Sequence, residues 1–397
     1  MNKPFNNHVE LLLKLFNITP GESTAMELQL LAKGNTLFSQ ALNLPWKDDS
    51  GVHFAGKFNQ ENLAQIVAEM NQQKIAKSAP LMSELLDLQQ SGIANIDYAL
   101  PQCFKGNPLK ANLYFCMLNP SSSVADTQAN IHSYADFHQL ANAKNDHHLA
   151  INPETGQYDV AHVVAYMNDF YSVVYREMTA LKRALDNHTT ITKKLIKKLL
   201  NSHAYYLSKY FKKAIADNLN DLVDHIYQAY QQDKLATVLK KMADLKICNL
   251  ELTPVRSQKF AALTDETIAA NRFSILTILW RICLYEVQKK IVGRKVTRPL
   301  FAFRSYKIKS GKRWYDYFTI FFKEAGLDEA TSQALLAYLE DNYFLKYKTQ
   351  NCAISYRNIT SISGTSVMDR TQASKGEKDL LTDFYQNIAN LFQTIFK

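Results

Sequence analysis

Residues 111–123 read Ala-Asn-Leu-Tyr-Phe-Cys-Met-Leu-Asn-Pro-Ser-Ser-Ser, and the fold turns on how this stretch is interpreted. Leu113 to Leu118 carry no charge and have turn formers on both sides, which is the pattern of a strand buried on both faces in a parallel sheet. Pro120 has no N–H to give to a ladder, so the strand must stop there. The same proline pushes Asn119 towards an extended or turn conformation at the carboxyl end of the strand. In open α/β sheets, that edge is where ligands bind.

Three further strand candidates lie downstream: 246–257, 298–308 and 352–356. Helical patterns separate all four, notably Trp314 to Glu324 and Glu329 to Tyr343. Alternation of strand and helix predicts an α/β fold with a small doubly wound parallel sheet. Its core is expected over 101–157 and 246–365. The connection between the first two strands is far longer than a crossover needs, so 158–245 reads as a large basic helical insertion. Residues 1–100 read as a mostly helical N-terminal region, with Val9, Leu12, Leu13 and Phe16 on one face and a second helix from Ser23 to Leu42. A strand-like piece spans Val52 to Phe58. Residues 366–397 form an amphipathic C-terminal helix expected to pack on its own domain.

Composition bounds the class. The chain has 397 residues, 47% hydrophobic and 21% charged, which suits a sizeable globular core. No apolar run reaches the roughly 18 residues of a spanning helix, and the first thirty residues lack a secretory pattern. A cytoplasmic protein without a membrane partner is the expectation. The cysteines (Cys103, Cys116, Cys248, Cys283, Cys352) include no Cys-x-x-Cys pair, which favours reduced thiols over disulfides or zinc. His132, His138, His147 and His148 crowd a polar stretch, but without helical ligand spacing they read as a solvated loop.

The formal charge of +9 leans towards nucleic acid. Two basic runs carry that lean. From His188 to Ile215 there are seven lysines and no acid, with Tyr205, Tyr206, Tyr210 and Phe211 interleaved. From Lys289 to Arg313 there are ten basic residues and no acid, with Phe301, Phe303 and Tyr306 among them. Lysines on the wet side of an amphipathic helix give the same pattern without any ligand. Aromatic side chains add a surface on which bases stack.

Taken together, the strand ends carry more than any one of them. Gly106-Asn107-Pro108 precedes a strand ending Leu118-Asn119-Pro120-Ser121. Then come Glu251-Leu252-Thr253-Pro254-Val255-Arg256-Ser257, Phe303-Arg304-Ser305 with Lys312-Arg313-Trp314, and Ser355 to Ser363. This succession resembles the uracil-DNA glycosylase superfamily, in particular its divergent bacterial members, over residues 106–364. The resemblance implies a first strand whose end positions an attacking water, and a last loop that presses on nucleic acid beside an extruded base. By position, Asn119 matches the polar residue of the first motif, and Arg357, Asn358 and the serine-rich turn match the last loop. Pro120, Ser121, Ser122, Arg256, Ser257, Arg304, Lys307, Lys309, Lys312 and Arg313 join them as candidate nucleic-acid contacts. Ser121 stands where the Asn-Pro branch usually has Gly, the last loop lacks His-Pro-Ser, and Arg304-Ser305 replaces a base-reading Asn.

The expected function is therefore DNA or RNA binding on a glycosylase-like core, with hydrolysis of the N-glycosidic bond of an altered base as the candidate reaction. No cofactor or metal is implied. Two other classes share these features: a nucleotide- or nucleobase-binding enzyme, and an inactive glycosylase-like fold whose helical insertion binds a protein partner. No phosphate loop, His-Glu-x-x-His, Gly-x-Ser-x-Gly or dinucleotide motif is present to support ATPase, zinc protease, serine hydrolase or oxidoreductase chemistry.

Overall fold

A computed structural model describes residues 5–39, 104–118, 168–169, 171–252, 272–309, 312–349, 352–392 and 395–396. Its centre is a mixed α/β arrangement around one sheet of seven strands: β1 (Phe104–Gly106), β2 (Leu113–Met117), β3 (Asn168–Asp169), β4 (Ile247–Glu251), β5 (Leu300–Phe303), β6 (Phe344–Tyr347) and β7 (Ile359–Ser361). They lie in the order β3-β1-β4-β2-β5-β6-β7. β4, β2, β5 and β6 run parallel, while β1 and β7 lie antiparallel to β4 and β6. The sheet is thus parallel in its middle and mixed at its edges.

β2 is buried at every position, as the uncharged run from Leu113 to Leu118 demands. Both of its faces are covered. Tyr114 and Cys116 face a core built with α1 (Asn7–Leu15), α2 (Ser23–Ser39), α8 (Phe273–Gln288), α9 (Trp314–Glu324) and α10 (Glu329–Asn342). Leu113, Phe115 and Met117 face the core built with α3 (Val173–Asp186), α4 (Lys193–His203), α6 (Leu219–Gln231), α7 (Leu235–Ala243) and α11 (Lys375–Phe392). Between α4 and α6 run a π-helix, Tyr206–Phe211, and the short α5 (Lys212–Ile215). The basic helical stretch is therefore the layer that covers one face of the sheet.

Helix ends follow local chemistry. Ser172, Thr192, Asn218 and Asp328 each accept a backbone N–H at the start of α3, α4, α6 and α10. α8 is buried almost along its whole length and holds the N-terminal pair in place. Gly34 of α2 lies over Trp280, whose indole N–H donates to the Leu30 carbonyl at 2.7 Å. The apolar stripe of α11, Leu380, Leu381, Phe384, Ile388 and Phe392, packs into the core of its own domain.

Two strand readings need correction. The fourth parallel strand is β6, not 352–356. Phe344 follows α10 with only Tyr343 between, and the turn formers Asp341 and Asn342 are still helical, so no loop separates helix from strand. The 352–356 stretch stays a loop because the Asn358 amide donates to the carbonyls of Thr349, Cys352 and Ala353, and its oxygen accepts the Thr349 N–H. With those carbonyls taken, the Ile354 N–H goes to the Tyr210 carbonyl and the Tyr356 carbonyl to the Met368 N–H, away from the β6 ladder. The turn-rich lead-in at 101–108 also contains β1, which ends at Gly106 with φ +105°. A Cβ there would stand 2.3 Å from the Ile247 carbonyl oxygen, so only glycine lets β1 approach β4.

The described cysteines are free thiols, with Cys116, Cys248 and Cys283 buried and Cys352 exposed. Among the described residues, no helix is long and apolar enough to cross a membrane. The histidine-rich stretch and Val52–Phe58 lie outside the described residues.

Candidate functional site

After β2 the chain adds β3 at the sheet's far edge, then β4 on one side of β2 and later β5 on the other. In open α/β sheets the carboxyl end of a strand with its neighbours added on opposite sides is where ligands bind. Backbone bonds tie the three strand tips together: the Leu252 N–H donates to the Met117 carbonyl at 3.2 Å, and the Arg304 N–H donates to the Cys116 carbonyl at 2.9 Å. Met117 pairs with Glu251 in register. A buried carboxylate and an arginine therefore flank the strand end that leads into Asn119.

The π-helix roofs this edge. Its first turn is held by Glu177 of α3, whose carboxylate oxygens accept the N–H groups of Tyr206 at 2.8 Å and Leu207 at 2.6 Å. The wider turn brings the rings of Tyr205, Tyr206 and Tyr210 together, with centroids 5.5 Å apart for Tyr205–Tyr210 and Tyr206–Tyr210. Such turns occur frequently at functional sites. The Arg304 guanidinium lies over the Tyr210 ring at 5.7 Å. Ser305 follows with φ +59°, a left-handed conformation that costs a non-glycine residue of order 1 kcal/mol and redirects the chain at the strand tip.

Electrostatics bind these groups into one cluster. Burial pushes the Tyr206 hydroxyl well above the usual phenol range, the charges of Glu251 and Glu177 add to that, and Arg304 opposes it. Burial raises the Tyr210 and Tyr347 hydroxyls too, again with Arg304 opposing. All three phenols stay neutral donors near pH 7. The Tyr347 hydroxyl is buried and has no hydrogen-bond partner among the described residues. Buried polar groups are seldom left so.

Beside the cluster, between the ends of β5 and β6, is an open pocket of about 530 Å³ lined by Ser305, Tyr306, Lys307, Ile308, Tyr315, Glu340, Lys346, Tyr347, Lys348 and Ile362. The Lys307 ammonium sits 3.9 Å from the Tyr315 ring centre. The Tyr306 hydroxyl donates to Glu340 at 2.7 Å, and Lys346 donates to the Ile362 carbonyl. Burial lifts the Glu340 carboxyl above its ordinary range, against the pull of Tyr306, Lys307 and Lys346.

The sequence-derived candidates separate into groups. Asn119, Pro120, Ser121, Ser122, Arg256 and Ser257 lie outside the described residues. Arg304 stands in the cluster, Lys307 lines the pocket, and Lys309 is exposed just beyond it. Lys312 and Arg313 start α9: the Arg313 N–H donates to Asp316 at 2.8 Å, and its guanidinium folds back onto the Lys312 carbonyl at 2.7 Å. Arg357 is exposed in the turn before β7. Asn358 is buried and occupied by loop backbone, so its amide closes the loop rather than facing a partner.

Sequence reasoning missed Glu251, Glu177, Tyr347 and Glu340. Only Glu251 left a trace, as the one acid in Ile-Cys-Asn-Leu-Glu, placed at the strand's carboxyl end. The chain matches no family model, no curated protein and no solved structure.

Proposed function

We propose that this protein binds nucleic acid along the carboxyl edge of its parallel strands and hydrolyses the N-glycosidic bond of an altered base held there. One observation carries the reading. Glu251 and Arg304 flank the strand end that leads into Asn119, beside the clustered rings of Tyr205, Tyr206 and Tyr210, while Lys307, Lys309, Lys348 and Arg357 lie at the ends of the adjoining strands. Cations at such a rim release counterions on meeting phosphates, whatever the sequence.

The chemistry suits the residues. Cleavage of the bond leaves positive charge on the sugar and negative charge on the departing base. Asn119, on the resemblance to uracil-DNA glycosylases, positions the attacking water, but an amide cannot take its proton. Glu251 supplies that missing capacity: its carboxylate offsets the sugar charge and accepts the proton as water adds. Arg304 meets the anionic base. Reaching a base in a duplex costs a few kcal/mol of unstacking, which rim contacts to the backbone offset. A small doubly wound sheet of the glycosylase kind fits the order β4-β2-β5-β6 with helices on both faces.

The test has two arms. Fluorescence anisotropy with labelled single- and double-stranded DNA and RNA should show binding that weakens steeply with salt. Alkali cleavage of oligonucleotides carrying deaminated or alkylated bases should reveal abasic sites, lost in Glu251→Gln at preserved binding. Absence of salt-sensitive binding to every polymer sinks the reading.

A further inference from the structure

We infer that the pocket between the ends of β5 and β6 is a mononucleotide site, selective for a phosphorylated nucleoside whose base carries an amino group. The inference deepens the nucleic-acid reading and rests on it.

Size comes first. About 530 Å³ lies within the range of small-molecule sites and exceeds what a lone ion needs. The lining then divides by chemistry. Lys307, Lys346 and Lys348 bring three ammonium groups to the walls, a setting for phosphate. Tyr315 supplies an aromatic face, on which the Lys307 ammonium now rests and from which a stacking base would displace it, while the buried Tyr306 contributes its hydroxyl to Glu340. Glu340 is the acid of the lining. Its Oε1 accepts the Tyr306 hydroxyl, which fixes the carboxylate in place and leaves Oε2 as an acceptor.

A carboxylate among lysines argues against a simple polyanion groove. An acidic peptide would be repelled by Glu340 and would gain nothing from the aromatic wall. A base with an exocyclic amine uses all three parts: ring on tyrosine, amine on Glu340, phosphate on lysine. Glutamate accepts from the cytosine amine in the same way when proteins read base edges. Uracil and thymine present a carbonyl there and would face the carboxylate with an acceptor.

Calorimetry on the full chain tests this with CMP, UMP, cytidine, inorganic phosphate and a short 5′-phosphorylated single strand. CMP should bind about tenfold tighter than UMP, with cytidine and phosphate each weaker than CMP. Glu340→Gln should erase the CMP preference, Tyr315→Ala should weaken both nucleotides, and the exposed Lys348→Gln should weaken CMP but not cytidine. Thermal melts of each variant separate these effects from misfolding. Displacement of CMP by the phosphorylated strand assigns the site to strand ends, and failure to displace assigns it to free nucleotides; both uphold it. Equal affinity for UMP and CMP, or phosphate alone matching CMP, overturns it. Binding of polymers without CMP binding removes the pocket proposal and leaves the nucleic-acid reading standing, whereas no binding of any kind removes both.

Discussion

Glu177 of α3 grips Tyr206 at the head of the π-helix, its carboxylate accepting the Tyr206 N–H at 2.8 Å and the neighbouring Leu207 N–H at 2.6 Å. One side chain on a covering helix thereby sets where the tyrosine roof sits above the strand tips. Glu177→Ala should cost about 2 kcal/mol, the scale of charged hydrogen bonds left unmade, and should weaken nucleic-acid binding beyond what the stability loss explains. Urea unfolding and anisotropy on the same preparation check both. Unchanged stability would show that the π-turn holds without its carboxylate.

Asn358 gives a contrasting prediction. Its amide and oxygen serve four backbone groups of 349–353, so Asn358→Ala should destabilise by about 2 to 3 kcal/mol. Nearby Arg357, exposed in the same turn, should behave oppositely. Arg357→Ala should leave the unfolding midpoint unchanged and lower the salt dependence of binding by about one unit of slope. A stable Asn358→Ala protein that has lost binding would return Asn358 to the interface.

Packing between α2 and α8 offers a steric test. A Cβ on Gly34 would stand 2.4 Å from a carbon of the Trp280 ring. Gly34→Ala should therefore destabilise by about 1 to 3 kcal/mol despite the better helix propensity of alanine. Trp280 fluorescence should shift as the indole loses its place against the Leu30 carbonyl. A stabilised variant would mean that the two helices slide apart at little cost.

Glu377 supplies a pH signature. Burial alone would raise its carboxyl, but hydrogen bonds from Ser361, Ser363 and Thr365 outweigh that and hold it below the ordinary carboxylate range. A depressed acid stabilises the fold above its unfolded pKa, roughly 4.3, and loses that contribution as pH falls through the lower folded value. Glu377→Gln should cost under about 1 kcal/mol at pH 7, since the group is solvent-screened, and the difference should vanish on acidification. Parallel unfolding curves at pH 7 and pH 3 decide it; a gap that persists at low pH contradicts the assignment.

Much of the framework was legible because burial writes itself into composition. β2, β4 and β5 announce themselves as short uncharged or nearly uncharged runs, and α9 falls on Trp314–Glu324 as its apolar spacing requires. β6 was hidden because Asp341 and Asn342 still belong to α10 and Tyr343 alone separates helix from strand, and its Lys346 breaks the apolar run. The site was legible only where a residue type was unusual for its place, as with Arg304. Glu177 and Glu340 act across sequence separations of 29 and 34 residues, and no local pattern encodes such pairings. Asn358 misled for the opposite reason: an amide in a polar turn has the same appearance whether it serves a ligand or its own backbone.

The bond between Trp280 and the Leu30 carbonyl spans 250 residues. At about 5 to 20 residues per second of synthesis, the apolar side of α2 waits roughly 10 to 50 s on the ribosome before its partner emerges. A chain released before residue 280 would leave that side of α2 without Trp280 to cover it, and apolar surface exposed in this way favours aggregation.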